Sequence, residues 1–473
     1  MERKNQTDYS KGKISYNVLR LALPMMVAEL VHILYNLVDR MYIGHMENGT
    51  VALTGIGLVL PLITATAAFA NIGTTGGSPL SAIALGAGKR EEAQSIQETA
   101  FTLLILVGMI LTVVFAIFKK SLILLLGGTQ ETLPAALTYF DIYLCGTLFS
   151  VISLGMNAFI NMQGFPSIGM KTVLIGAVSN ILLDPLFIFA FDMGVAGAAL
   201  ATVISQLFSC LWSLRFFFGK IAPLPIRRLG IDRTHLKSIL SLGTAGFCFK
   251  MTNSVTQAVV NITLRAWGGA LSTLYISAMS IINSLREVIY MPVQAVTDAS
   301  KPVMSYNYGA EKTERMQECI RFMTVFCLIL NLLFFGILHL FPKTLAGIFT
   351  SDSDLLTLCV PCIHRYYLVY FMMTFQSAGQ AVFVALNKPK HAVFFALFRK
   401  LMLIVPFTLL LPHLGLGAGG VFYAEAISDL VGGSICYLTM LSVIKKMGLT
   451  MRTRKKGEGF EKKDCHPGRC CLG

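Results

Sequence analysis

Charge is what this chain lacks. Of its 473 residues only 14% are Asp, Glu, Lys or Arg, against about 25% in soluble domains, and acids are the scarcer sign, 25 against 39 bases. With 55% hydrophobic residues and a mean hydropathy of +0.67, the composition excludes a water-soluble globule and implies an integral membrane protein. Alternating strand-length segments are missing, which excludes a β-barrel. HExxH, GxSxG and any acid-base pair beside a nucleophile are missing, so no enzyme is expected. The Gly-rich pieces IGTTGGSP (72–79) and LGLGAGG (414–420) have neither a preceding strand nor a Lys-Ser/Thr ending. They read as close helix packing, not phosphate loops, and no cofactor is expected.

Eleven cysteines are scattered along the chain, several within apolar runs, and imply no disulfide framework. Cys359 and Cys362 have the spacing of a redox pair or zinc half-site, but they open an apolar helix and have no second pair. Cys465, His466, Cys470 and Cys471 fall in a charged terminal stretch that reads as a disordered tail, not as a metal or palmitoylation site.

What is present is a train of apolar runs from Val18 to Leu441. A span needs about 20 residues, so about twelve fit, and the expected fold is all-α. Loop punctuation predicts helices at 18–43, 51–85, 92–118, 133–162, 167–190, 194–218, 236–266, 273–307, 315–340, 355–385, 390–411 and 416–444. The first span is too long for a signal-peptide core and should remain as an anchor. Basic residues gather in three connections: Arg3, Lys4, Lys11 and Lys13; then Lys220, Arg227, Arg228, Arg233 and Lys237; then Lys445, Lys446, Arg452, Arg454, Lys455 and Lys456. That is the positive-inside pattern, so the net charge of +14 signals cytoplasmic termini in a cell (inner) membrane, not a nucleic-acid partner.

The chain repeats itself. Pro79, Gly86, Ala87, Lys89 and Gln94 recur 223 positions later as Pro302, Gly309, Ala310, Lys312 and Gln317, and Pro166 and Ser205 recur as Pro389 and Ser428. Six spans per half put both copies in the same orientation, a parallel repeat with a substrate path between the halves. The expected organisation is an N-terminus (1–17), a six-helix lobe (18–218), a linker (219–235), a second six-helix lobe (236–444) and a basic cytoplasmic tail (445–473).

Two acids lie where an unpaired carboxylate is costly: Asp39 in LYNLVDRMYIG and Asp184 in NILLDPLFIF. Topology puts both near the outer surface. Asn180 shares a face with Asp184, Pro185 withholds a backbone donor, and Ala198 and Thr202 share a face of the next span. Such a set is all oxygen and suits Na⁺, with Asp39, Asn180, Asp184 and Thr202 as ligands, or a proton shared between the two acids. Read blandly, these residues make interhelical hydrogen bonds worth about 0.6 kcal/mol each. Two acids at matched depth argue against that reading. Pro24, low in the first span, offers a hinge.

These motifs, together with SPLSAIALGAGKREEAQ (78–94), NAFINMQGFPS (157–167) and MGVAGAALATVISQ (193–206), resemble the multidrug and toxic compound extrusion family. The resemblance covers about 16–444. It implies two six-helix lobes in a V and export of small amphipathic, cationic compounds in exchange for Na⁺ or H⁺. It makes Asp39 and Asp184 the acidic pair, with Asn180, Thr202 and the Ala198 carbonyl as cation ligands. Tyr139 and Asn157 match polar neighbours of that site, Asn157 lying nearer the cytoplasm, and Asn36 is a further candidate there or for substrate. One branch of the family carries a second acidic site in the spans corresponding here to LGTAGFCFKMTNS and FQSAGQAVFVALNKP, which hold no acid. The branch coupling through the N-terminal lobe is therefore favoured.

Glu425 and Asp429 could form another site or could pair with Arg399 or Lys400. Lys250, Arg265, Arg286, Arg365, Arg399 and Lys400 suggest the rival, a flippase for lipid-linked oligosaccharides that grips pyrophosphate. Arg286 beside Glu287 and a snorkelling Arg365 weaken it. The expectation is a monomeric antiporter in the lipid bilayer.

Overall fold

The computed structural model describes residues 6–46 and 49–448, mostly helical and with no strand among them. The Cys-rich tail lies outside the described residues. The first half comprises α1 (Ile14–Gly44), α2 (Gly49–Gly86), α3 (Arg90–Leu125), α4 (Leu133–Met162), α5 (Pro166–Pro185) with a π turn at Leu186–Ala190, and α6 (Gly194–Phe218). The second comprises α7 (Arg233–Trp267), α8 (Ser272–Gly309), α9 (Thr313–Leu340), the short α10 (Pro342–Gly347), α11 (Ser353–Tyr366), α12 (Met373–Ala385), α13 (Pro389–Leu397), a π turn (Phe398–Ile404), α14 (Val405–Leu411) and α15 (Gly417–Lys446).

Length and hydropathy alone identify eight spans among the described residues, or nine with α11 and α12 taken as one. Two things raise that to twelve. The stretch from Pro389 to Lys446 breaks between α14 and α15, where Gly415 and Gly417 take φ of 86° and 51°, conformations that glycine adopts without strain. In addition, α7 and α8 are long enough, at 35 and 38 residues, but too polar to register.

Two expected helices are interrupted. The tenth span bends by 44° between α11 and α12, where the Tyr367 hydroxyl donates to the Ile282 carbonyl on α8 at 2.8 Å. The eleventh widens into the π turn that carries Arg399 and Lys400.

The repeat is visible in the packing: α1 lies on α5 as α7 lies on α13, and α4 on α6 as α12 on α15. The halves meet through α2, α7 and α8, at the end where the linker emerges. There the backbones nearly touch. A Cβ on Gly86 would overlap the carbonyl of Tyr306, and one on Gly309 that of Ile83. Gly86 and Gly309 are repeat partners, so the pseudo-symmetry runs through this contact.

Two further segments close the same end. The linker is pinned to the first half: Leu224 N–H donates to Gln163 Oε1 at 2.9 Å, its carbonyl accepts from Gln97 at 2.8 Å, and Arg227 N–H donates to Glu98 at 2.8 Å. The segment before α1 ties both halves. Thr7 N–H donates to the Gly164 carbonyl at 2.9 Å and the Tyr9 hydroxyl to that of Asn161 at 2.6 Å. On the other side, Asn307, Lys312 and Arg315 donate to the carbonyls of Tyr9, Ser10, Lys11 and Gly12 at 2.9–3.2 Å.

Candidate functional site

Asp39 stands near the end of α1 and Asp184 near the end of α5, two helices packed against each other. Tyr42 and Phe189 meet edge to face beyond them, 6.3 Å between centroids. Asp184 is fully buried and Asp39 partly so. The two carboxyl groups are near enough to interact.

One turn earlier on α5, the Asn180 amide donates to Asp184 Oδ1 at 3.2 Å. Pro185 has no N–H to give, and the chain then opens into the π turn. On α6, Thr202 gives its hydroxyl proton to the Ala198 carbonyl at 3.1 Å, and Tyr139 of α4 reaches Thr202 and Asp39.

This constellation leaves oxygens over. Asp39 Oδ1, Asn180 Oδ1 and Asp184 Oδ2 are all buried without a hydrogen-bond partner. Buried acceptors are ordinarily satisfied, and two facing carboxylates repel unless something positive stands between them. Three acceptor oxygens fit a small hard cation or a shared proton. Among the described residues no group of three or more His, Cys, Asp or Glu could hold a metal ion. The donors here, two acids with an amide and a hydroxyl, are not those of a zinc or copper centre.

Other candidates lie elsewhere. Asn36 turns its amide back to the His32 carbonyl at 2.8 Å. Asn157 lines a cavity of about 390 Å³ between the halves, with Glu29, Asn161, Asp298 and Lys301, about 27 Å along α4 from Tyr139. Pro24 sits within α1, which continues as one helix through it, next to Met25 on that cavity's wall.

The residues that sequence reasoning missed cluster around these positions. Tyr35 lies near the acid pair, and Glu29 lines the central cavity. Glu29, His32, Asn36 and Asp39 recur at helical spacing on α1, a polar stripe that the period itself would have revealed.

The acids of the second half are already partnered. Arg399 Nη1 donates to Glu425 at 3.0 Å and to Asp429 at 2.7 Å. Arg286 pairs with Glu425 at 3.0 Å, not with its neighbour Glu287. Arg365 lies 5.8 Å over the ring of Tyr423, a cation–π contact.

Comparison with known proteins points one way. The model of the family described as MatE matches residues 24–186 and again 251–410, once in each half. The chain is 24% identical over 352 residues to the multidrug export protein MepA of Staphylococcus haemolyticus, covering 74% of this chain and 76% of that protein. It is also 24% identical over 349 residues to MepA of Staphylococcus aureus, covering 73% and 76%. Among solved structures, the outward-facing conformation of a multidrug resistance MATE family transporter of the MOP superfamily is similar. The TM-score is 0.86 at 22% identity, over 94% of this chain and 99% of that one.

Proposed function

Because this chain belongs to the MatE family, we propose that it is a secondary multidrug exporter, moving amphipathic, cationic compounds outward in exchange for inward Na⁺ or H⁺. The family and the relatives' export function support the transport role. The observation that carries the coupling site is the set of three unpartnered oxygens on Asp39, Asn180 and Asp184. An ion or proton taken up there and a cargo held between lobes 18–218 and 236–444 favour different conformers, which is how either drives the other. The 219–235 linker joins two lobes that rock, and Pro24 lets the outer part of α1 follow the charge state of Asp39.

On this reading the protein is a monomer of the cell membrane with both termini in the cytoplasm. Its partners are lipid and small substrates; nucleic acid is not one of them, and the coupling ion takes the place of a cofactor. The flippase reading is weakened, since the pairing of Arg286 and Arg399 with Glu425 and Asp429 leaves too little uncompensated positive charge for a pyrophosphate.

The test is ethidium efflux from vesicles under imposed Na⁺ and pH gradients. Gradient-driven efflux that disappears in Asp39→Asn and Asp184→Asn is expected. Efflux that persists in both variants removes the assignment.

A further inference from the structure

We propose that the second lobe contains a binding site for an amphipathic monocarboxylate, held between Lys400 and Arg286 and separate from the acid pair of the first lobe. The argument begins with charge. Arg286, Arg399 and Lys400 converge on Glu425 and Asp429, so three cations face two carboxylates in a cluster whose Arg399, Lys400, Glu425 and Asp429 are at most 6% exposed. One positive charge is left over.

The bonding shows where it falls. Arg399 serves both acids, at 3.0 and 2.7 Å, and Arg286 takes Glu425 at 3.0 Å and the Tyr366 hydroxyl at 3.1 Å. Lys400 is the residue left weakly matched. Its ammonium stands 3.6 Å from a Glu425 oxygen already shared by both arginines, longer than a charge-assisted hydrogen bond. A buried cation without full compensation is costly, and an anionic ligand would supply the compensation.

A place for that ligand exists. Lys400, Arg286 and Glu425 line a cavity of about 290 Å³ within the second lobe, at the lower end of small-molecule pockets. Its walls mix apolar side chains, Phe249, Val260, Met279 and Ile404 among them, with hydrogen-bonding ones such as Asn253, Gln257, Asn283 and Thr408. Lys250 and Glu287 line it too, one charge of each sign, and cancel. A small amphipathic body with one carboxylate is the chemistry that such mixed walls and one surplus positive charge fit. Access is through the central cavity, with which this one shares Phe249, Lys250, Tyr290, Gln294 and Met373.

Equilibrium binding of radiolabelled 4-phenylbutyrate to the full chain, purified in detergent and sulfate buffer, tests this independently of transport. Saturable binding of one molecule per chain is expected, with 4-phenylbutanamide and 4-phenylbutylamine competing at least about tenfold more weakly. Lys400→Gln should lose about tenfold in affinity and Lys400→Arg should retain it. Lys400→Gln leaves two cations with two carboxylates, so its thermal midpoint should match or exceed that of the parent.

The proposal is overturned by equal competition from the amide, which would mean an uncharged Lys400. It is equally overturned by unchanged affinity in Lys400→Gln, or by chloride displacing the probe as effectively as unlabelled 4-phenylbutyrate. Should Lys400→Gln not fold, the comparison of carboxylate with amide on the parent protein still decides.

Discussion

The two lobes descend from one repeat and bury acids in opposite ways. In the first, Asp39 and Asp184 come from α1 and α5 and face each other with oxygens to spare. In the second, the corresponding α7 and α13–α14 hold no acidic residue. Two buried acids sit instead on α15, where Glu425 and Asp429 occupy the positions of Thr202 and Gln206 at the repeat displacement and are bonded to arginine. A carboxylate locked to a guanidinium cannot answer to a diffusing cation; one facing another carboxylate can. The repeat thus carries unpartnered acid oxygens in one lobe and guanidinium-bonded ones in the other.

The sharpest way to break this comparison is to neutralise one acid on each side. Asp184→Asn should fold normally and lose gradient-driven ethidium efflux altogether. Glu425→Gln should do the reverse: removing one partner of a buried cluster destabilises by about 3–5 kcal/mol, read in thermal unfolding, while the protein that remains folded still pumps. A Glu425→Gln variant that is stable but inactive would erase the contrast. Pro24→Ala should reduce transport severalfold with ligand affinity nearly unchanged, and unaltered transport would remove the hinge. Asn36→Ala marks the lower bound, since its amide bonds only within α1. It should cost about 0.6 kcal/mol or less and leave efflux intact, so a large loss would draw Asn36 into the site.

Much of this was legible in the sequence because scarcity is informative. Asp39 and Asp184 stand out as acids in apolar runs, and Gly and Pro mark most helix ends to within a few residues. The depth of Asn157, toward the linker end, also followed from counting along α4. What could not be read is what depends on distant partners. Arg286 finds Glu425 across the fold although Glu287 is adjacent, because neighbours in sequence point to different faces of a helix. The bend at Tyr367 rests on a carbonyl of another helix. The length of α7 and α8 was read from loop punctuation, whereas hydropathy alone would have lost both, since their cavity-facing sides carry amides and charges.

The segment before α1 has a mechanical consequence. It grips the α4–α5 corner with one hand and the α8–α9 corner with the other, so any parting of the halves at that end must first release one grip. Residues 6–12 therefore act as a door chain, fastened beside the touching glycines and the packing of α2 on α7 and α8.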